Sequence, residues 1–151
     1  IGRAIAFQAI GCGFEPRLLL MGKIVKHPTY FVDIDGTLIV YRKFVDLEKS
    51  VLTPIQDMID FINKSYNEGV HIVITTARPE LFRNLTIQEL SEVGVNYHQL
   101  IMGIGRGSRI IFNDLDPEKK ELPRAWGINL ERDSGLKDIK LPIFISSYES
   151  N

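Results

Sequence analysis

Cysteine is almost missing from this sequence, with Cys12 the only one in 151 residues. A lone thiol cannot close an internal disulfide, so the fold must rely on packing, and the chain suits a reducing compartment, taken here as the cytoplasm. A dominant charge sign is missing too. The formal net charge is −1, from 18 basic and 19 acidic residues, which argues against a surface dedicated by bulk charge to nucleic acid. No apolar run approaches the roughly 20 residues that span a bilayer, so no membrane partner is expected. The three histidines, His27, His71 and His98, lack metal-site spacing and read as structural or surface residues. No internal repeat or low-complexity linker divides the chain.

A hydrophobic content of 44% is enough for one compact core. Residues 1–20 are apolar but lack a basic start and a cleavage motif, and Glu15-Pro16-Arg17 interrupts them. They read as an unstructured or non-native extension ahead of a start at Met21, with 21–151 as a single domain. From residue 30 onward strands and helices alternate, the order of a parallel sheet covered by helices. Tyr30 to Ile34 reads as the first strand. Residues 38 to 52 form no regular helix and hold a flap around Tyr41-Arg42-Lys43-Phe44. Thr53-Pro54-Ile55-Gln56 has the form of a capping box, followed by Met58, Ile59 and Ile62 at helical spacing up to Gly69. "VHIVIT" (70–75) is a strand apolar on both faces, and Pro79 opens a helix that Gly94 stops. "HQLIMG" and "RIIFND" read as two further strands. A helix over 117–126, a strand over 127–130 and an edge strand at "LPIFIS" would complete the alternation.

Ligands of open parallel sheets sit at the carboxyl ends of the strands. Those ends deliver Asp33 and Asp35, then Thr75, Thr76 and Arg78, then Arg106, then Asn113 and Asp114. Asp33 and Asp35 stand about 7 Å apart on an extended strand, and with Asp114 they form an acidic cluster that a hard divalent cation would relieve. Mg²⁺, with its oxygen ligands and retained waters, fits such a set and serves phosphoryl transfer. Thr76 and the arginines are suitable donors to phosphoryl oxygens. The glycine-rich "GIGRGS" lacks dinucleotide spacing and precedes an expected strand, so no dinucleotide site is assigned.

"DIDGT", a strand ending in "TTAR" and then "IIFND" together resemble the haloacid dehalogenase superfamily of phosphohydrolases, over about residues 30–130. The resemblance implies an α/β, Rossmann-like three-layer sandwich with a central, mainly parallel sheet. It implies that Asp33 is a nucleophile forming an aspartyl-phosphate and that Asp35 is the general acid and base. It implies Mg²⁺ as cofactor, held by Asp33, the Asp35 carbonyl and Asp114. Thr76 rather than Thr75 matches the phosphate-holding hydroxyl, with Arg78 beside it. The third motif departs from the usual lysine, and Arg106 is preferred over Arg109 to fill it. The fourth reads "NDLD", which favours Asp114 over Asp116 as ligand.

The capping-box helix takes nearly half of the interval after Asp35, and one helix plus a strand account for the interval after Thr76, leaving no room for a separate cap domain. An open site suits a substrate with an accessible phosphate end, or a homo-oligomer in which a neighbour forms the lid. The expectation is a Mg²⁺-dependent phosphatase acting on a phosphomonoester, with a sugar phosphate as one candidate. A polynucleotide 3′-phosphatase and an inactive module that binds phosphorylated ligands are the alternatives. A receiver domain also uses an acidic pocket, but gives no reason for the "DIDGT" turn.

Overall fold

The computed structural model describes residues 27–121, 123–137 and 139. Three strands, β1 (Thr29–Val32), β2 (His71–Thr75) and β3 (Gln99–Ile101), form a parallel sheet in the order β1-β2-β3. Tyr30 pairs with Ile72 and Phe31 with Val73, while Ile74 pairs with Leu100 on the other side. Two helices, α1 (Gln56–Asn67) and α2 (Arg83–Glu92), alternate with the strands, giving an α/β fold. The apolar run of β2 is buried as expected of a central parallel strand, with Ile72 and Ile74 fully enclosed.

Helix α1 lays Met58, Ile59 and Ile62 on that core at three- and four-residue spacing. Burial of each isoleucine contributes about 1.5–3 kcal/mol. Tyr30 and Phe61 stack at 6.0 Å and extend the contact between β1 and α1. Asn63 of α1 fastens the turn that follows α2, donating to the Gly94 carbonyl at 2.8 Å and accepting from the Asn96 amide at 2.8 Å. Gly69 and Gly94 both adopt positive φ, 92° and 73°, where the sequence expects the two helices to stop.

Four expectations are corrected. The capping box does not form: α1 begins at Gln56, with Ile55 at the N-cap and no side-chain cap. Backbone bonding claims that segment instead, because the Val40 amide donates to the Thr53 carbonyl and the Ile55 amide to Leu38, both at 2.9 Å. The fourth strand is not formed among the described residues; Ile110, Ile111 and Phe112 lie exposed in irregular backbone. The helix over 117–126 gives way to turns. Asp116 accepts the Glu118 amide at 3.0 Å, an aspartate turn, and the charged "EKKE" run offers no apolar stripe to bury before Pro123. Residues 127–130 form no strand either. "LPIFIS", like residues 1–26, lies outside the described residues.

The segment from Glu131 to Leu136 packs back on the molecule. The Asp133 amide donates to the Gly36 carbonyl at 3.0 Å, Asp133 Oδ1 accepts the Tyr41 amide at 2.7 Å, and the Leu136 amide donates to Asp57 of α1 at 2.8 Å. This return holds the loop after β1, where the two acids sit. No helix among the described residues is long and apolar enough to cross a membrane.

Candidate active site

Beyond Val32 the chain leaves the sheet in a tight coil, with the amides of Thr37, Leu38 and Ile39 all directed at the Ile34 carbonyl at 2.9–3.2 Å. Gly36 makes that coil feasible at φ 88°, a conformation that side chains resist. Asp33 and Asp35 are thereby displayed at the carboxyl end of β1 while Ile34, Leu38 and Ile39 are buried beneath them. At the adjoining end of β2, the Thr76 amide donates to Ile101 at 2.9 Å and its carbonyl accepts from Ile104 at 3.3 Å. Those bonds bring the loop carrying Arg106 and Arg109 to the same place.

The result is an open cleft of about 580 Å³ lined by Asp33, Asp35, Thr76, Arg106 and Arg109, with Lys43, Phe44 and Val45 from the flap and Tyr41 and Arg132 at its margins. Thr76 lines this cleft; Thr75 does not. The Thr76 hydroxyl accepts the Arg78 amide at 3.1 Å, which leaves its own hydrogen available to a ligand oxygen. The Phe44–Asp46 stretch of the flap is a single 3-10 turn.

Each acid has an arginine. Arg109 Nη2 reaches Asp33 Oδ1 at 3.0 Å in a half-exposed pair. Arg78 grips Asp35 with two parallel bonds, Nε to Oδ2 at 2.7 Å and Nη2 to Oδ1 at 2.6 Å. Arg78 is fully buried, and its Nη1 donates to Glu89 at 2.7 Å and Thr86 at 3.3 Å. The expectation of Arg78 as a phosphate ligand is therefore corrected: its guanidinium is committed to Asp35 and α2 and does not face the cleft. Burial lowers the tendency of Arg78 to stay charged, but Asp35 and Glu89 more than restore it and hold its pKa above the ordinary value. Asp33 has the opposite balance. Burial pushes its carboxyl above the usual carboxylate range, with Arg109 pulling back most strongly and the Asp35 charge adding to the rise.

Asp114 is not brought to the cleft. It bonds to Arg124 at 3.1 Å, and Arg124 also reaches Asp116 at 3.4 Å, so both acids of "NDLD" are held by one arginine well out in solvent. Among the described residues no three His, Cys, Asp or Glu side chains come together as a metal site. Asp33 is already paired with Arg109 and Asp114 is held by Arg124 away from the cleft, so the donors as placed do not fit the implied Mg²⁺ set.

Sequence reasoning missed the residues behind and around the acids. Glu89 lies between two buried arginines, accepting Arg42 Nη2 at 2.6 Å and Arg78 Nη1 at 2.7 Å on the same oxygen. Its signal was available: Thr86, Glu89 and Leu90 form the buried stripe of α2, and an acid inside such a stripe needs a partner. Lys43 and Arg132 carried no comparable signal. No family model, curated protein or solved structure matches the chain.

Proposed function

We propose that the chain is a phosphatase of the haloacid dehalogenase type, with a Rossmann-like fold and no cap domain, hydrolysing a phosphomonoester. The carrying observation is that Asp33 and Asp35, Thr76, and Arg106 with Arg109 line one cleft at the carboxyl ends of neighbouring parallel strands. A carboxylate oxygen of Asp33 attacks phosphorus, the bond to the leaving oxygen breaks, and Asp35 supplies the proton that oxygen needs. Asp35 then takes a proton from water as the water oxygen attacks the same phosphorus, which frees Asp33 and releases phosphate. Thr76 and the cleft arginines orient the phosphoryl oxygens and offset their charge. Arg78 holds Asp35 as a carboxylate through a two-bond grip, so to act as the acid Asp35 first takes up a proton from solvent and gives up one of those two bonds. Mg²⁺ is the cofactor that the sequence resemblance implies, although the donors as placed around Asp33 do not fit its ligand set.

One observation favours a second reading, a module that binds phosphorylated ligands without turning them over: both acids are already paired with arginine. Phosphate release from a panel of phosphomonoesters, with and without Mg²⁺, separates the two. The phosphatase reading expects turnover that Asp33→Asn abolishes while the circular dichroism spectrum is unchanged. Turnover surviving in Asp33→Asn removes the nucleophile assignment, and binding without turnover in the wild type leaves the second reading.

A further inference from the structure

The cleft holds more positive charge than one phosphate requires. Arg78 balances Asp35 and Arg109 pairs with Asp33, yet Lys43, Arg106 and Arg132 also line it, and none of these three is in an ion pair with a described residue. A phosphomonoester brings about −1.5 to −2 at neutral pH, which leaves cationic capacity over. Two of the three are also prearranged. Arg106 lies over the Phe44 ring at 4.4 Å and Arg132 over the Tyr41 ring at 4.3 Å, so the flap carries a guanidinium on each of two aromatic faces. Stacking of this kind restrains a long side chain and lowers the entropy lost on gripping an anion. Because guanidinium groups occupy these faces, the rings are poorly placed as stacking platforms for the bases of a single strand.

Resting on the phosphatase reading, we infer that the substrate is a small phosphomonoester bearing a second anionic group, phosphate or carboxylate, which Arg132 and Lys43 hold at the mouth of the cleft while Arg106 stays with the reacting phosphate. The volume of about 580 Å³ suits a ligand of that size. The reacting phosphate sits on Asp33 and Thr76, and the second anion selects the substrate.

The test compares fructose 1,6-bisphosphate with fructose 6-phosphate, 3-phosphoglycerate with glycerol 3-phosphate, and a 3′-phosphorylated oligonucleotide, by phosphate release. The expected result is a kcat/KM about tenfold higher for the doubly anionic member of each pair, a ratio that Arg132→Gln and Lys43→Gln each reduce. Equal kcat/KM within each pair overturns the inference and leaves the phosphatase reading standing, and preference for the oligonucleotide overturns it too. If nothing is turned over, the phosphatase reading fails, and calorimetry with the same sugar phosphates decides: equal affinity for bisphosphate and monophosphate overturns the second-anion site, tighter bisphosphate binding supports it.

Discussion

Removing the Glu89 carboxylate tests the buried network behind the cleft. Arg42 and Arg78 both donate to Glu89 Oε2, at 2.6 and 2.7 Å, and the side chains of Arg42, Arg78 and Glu89 are nearly or wholly enclosed. With Asp35 the group contains two cations and two anions, so it is neutral as built. Glu89→Ala leaves Arg78 with Asp35 and Arg42 buried with no carboxylate partner among the described residues, and breaking a buried pair by deleting one partner costs about 3–5 kcal/mol. Against a total stability of about 5–15 kcal/mol, that is a large fraction. For a chain of this size it corresponds to a Tm lowered by roughly 6–20 °C. Glu89→Gln keeps an acceptor without the charge and is expected to fall between. The measurement is thermal and urea denaturation of wild type, Glu89→Ala, Arg42→Ala and the double variant. Because Arg42→Ala removes the orphaned cation, the double variant is expected to lose less than the two single losses added, by about 1–3 kcal/mol. A Glu89→Ala loss below about 1 kcal/mol, the range of an exposed ion pair, would refute the buried network.

Burial sets the Asp33 carboxyl above the usual range, and in the proposed reaction the attacking form is the ionised one, so the acid limb of kcat/KM should lie above ordinary carboxylate pH. Arg109→Gln removes the strongest opposing influence and is expected to move that limb to higher pH; an unmoved limb breaks the Asp33–Arg109 link. The same shift acts on stability. A carboxyl whose folded pKa exceeds its unfolded value helps folding at low pH, and that help disappears as pH rises through the folded pKa. Asp33→Asn should therefore gain stability relative to wild type as pH climbs through this range, read from Tm across a pH series. Gly36→Ala puts a Cβ 3.0 Å from Arg132 Cγ at φ 88°, and the backbone penalty alone is about 1–2 kcal/mol, measurable by urea titration. Asp114→Ala is expected to leave the apparent Mg²⁺ affinity for turnover unchanged, since Asp114 is held by Arg124 away from the cleft; a marked weakening would mean that the segment carries its acid to Asp33.

How much of this was legible depends on where each residue's partners lie. The β2 run and the Met58, Ile59, Ile62 stripe announced themselves because their periods match the faces they bury. The two stop glycines were readable for a similarly local reason. Asp33 and Asp35 stood out because acids are costly at the end of an apolar strand, and the strand-end rule placed Thr76 beside them. The Thr53 cap failed because the competing partner, Val40, comes from a different part of the loop and no local pattern records it.

The roles of the arginines were the least readable part, and the reason is electrostatic. A guanidinium serves equally as a ligand for phosphate or as a partner for a carboxylate, and sequence spacing does not say which acid will be in reach. Arg78 follows Thr76 by two residues, which suggests the cleft, yet Glu89 and Thr86 draw it beneath the surface onto Asp35. Arg132 is far from the motifs in sequence and reaches the cleft because Asp133 is bonded to Gly36 and Tyr41. The segment least able to report its own position thus supplies one of the cations at the mouth. Under the proposed second-anion site, substrate selection depends on the return of residues 131–136 over the first loop, and substitutions at Asp133 should disturb it through Arg132 without touching the two acids.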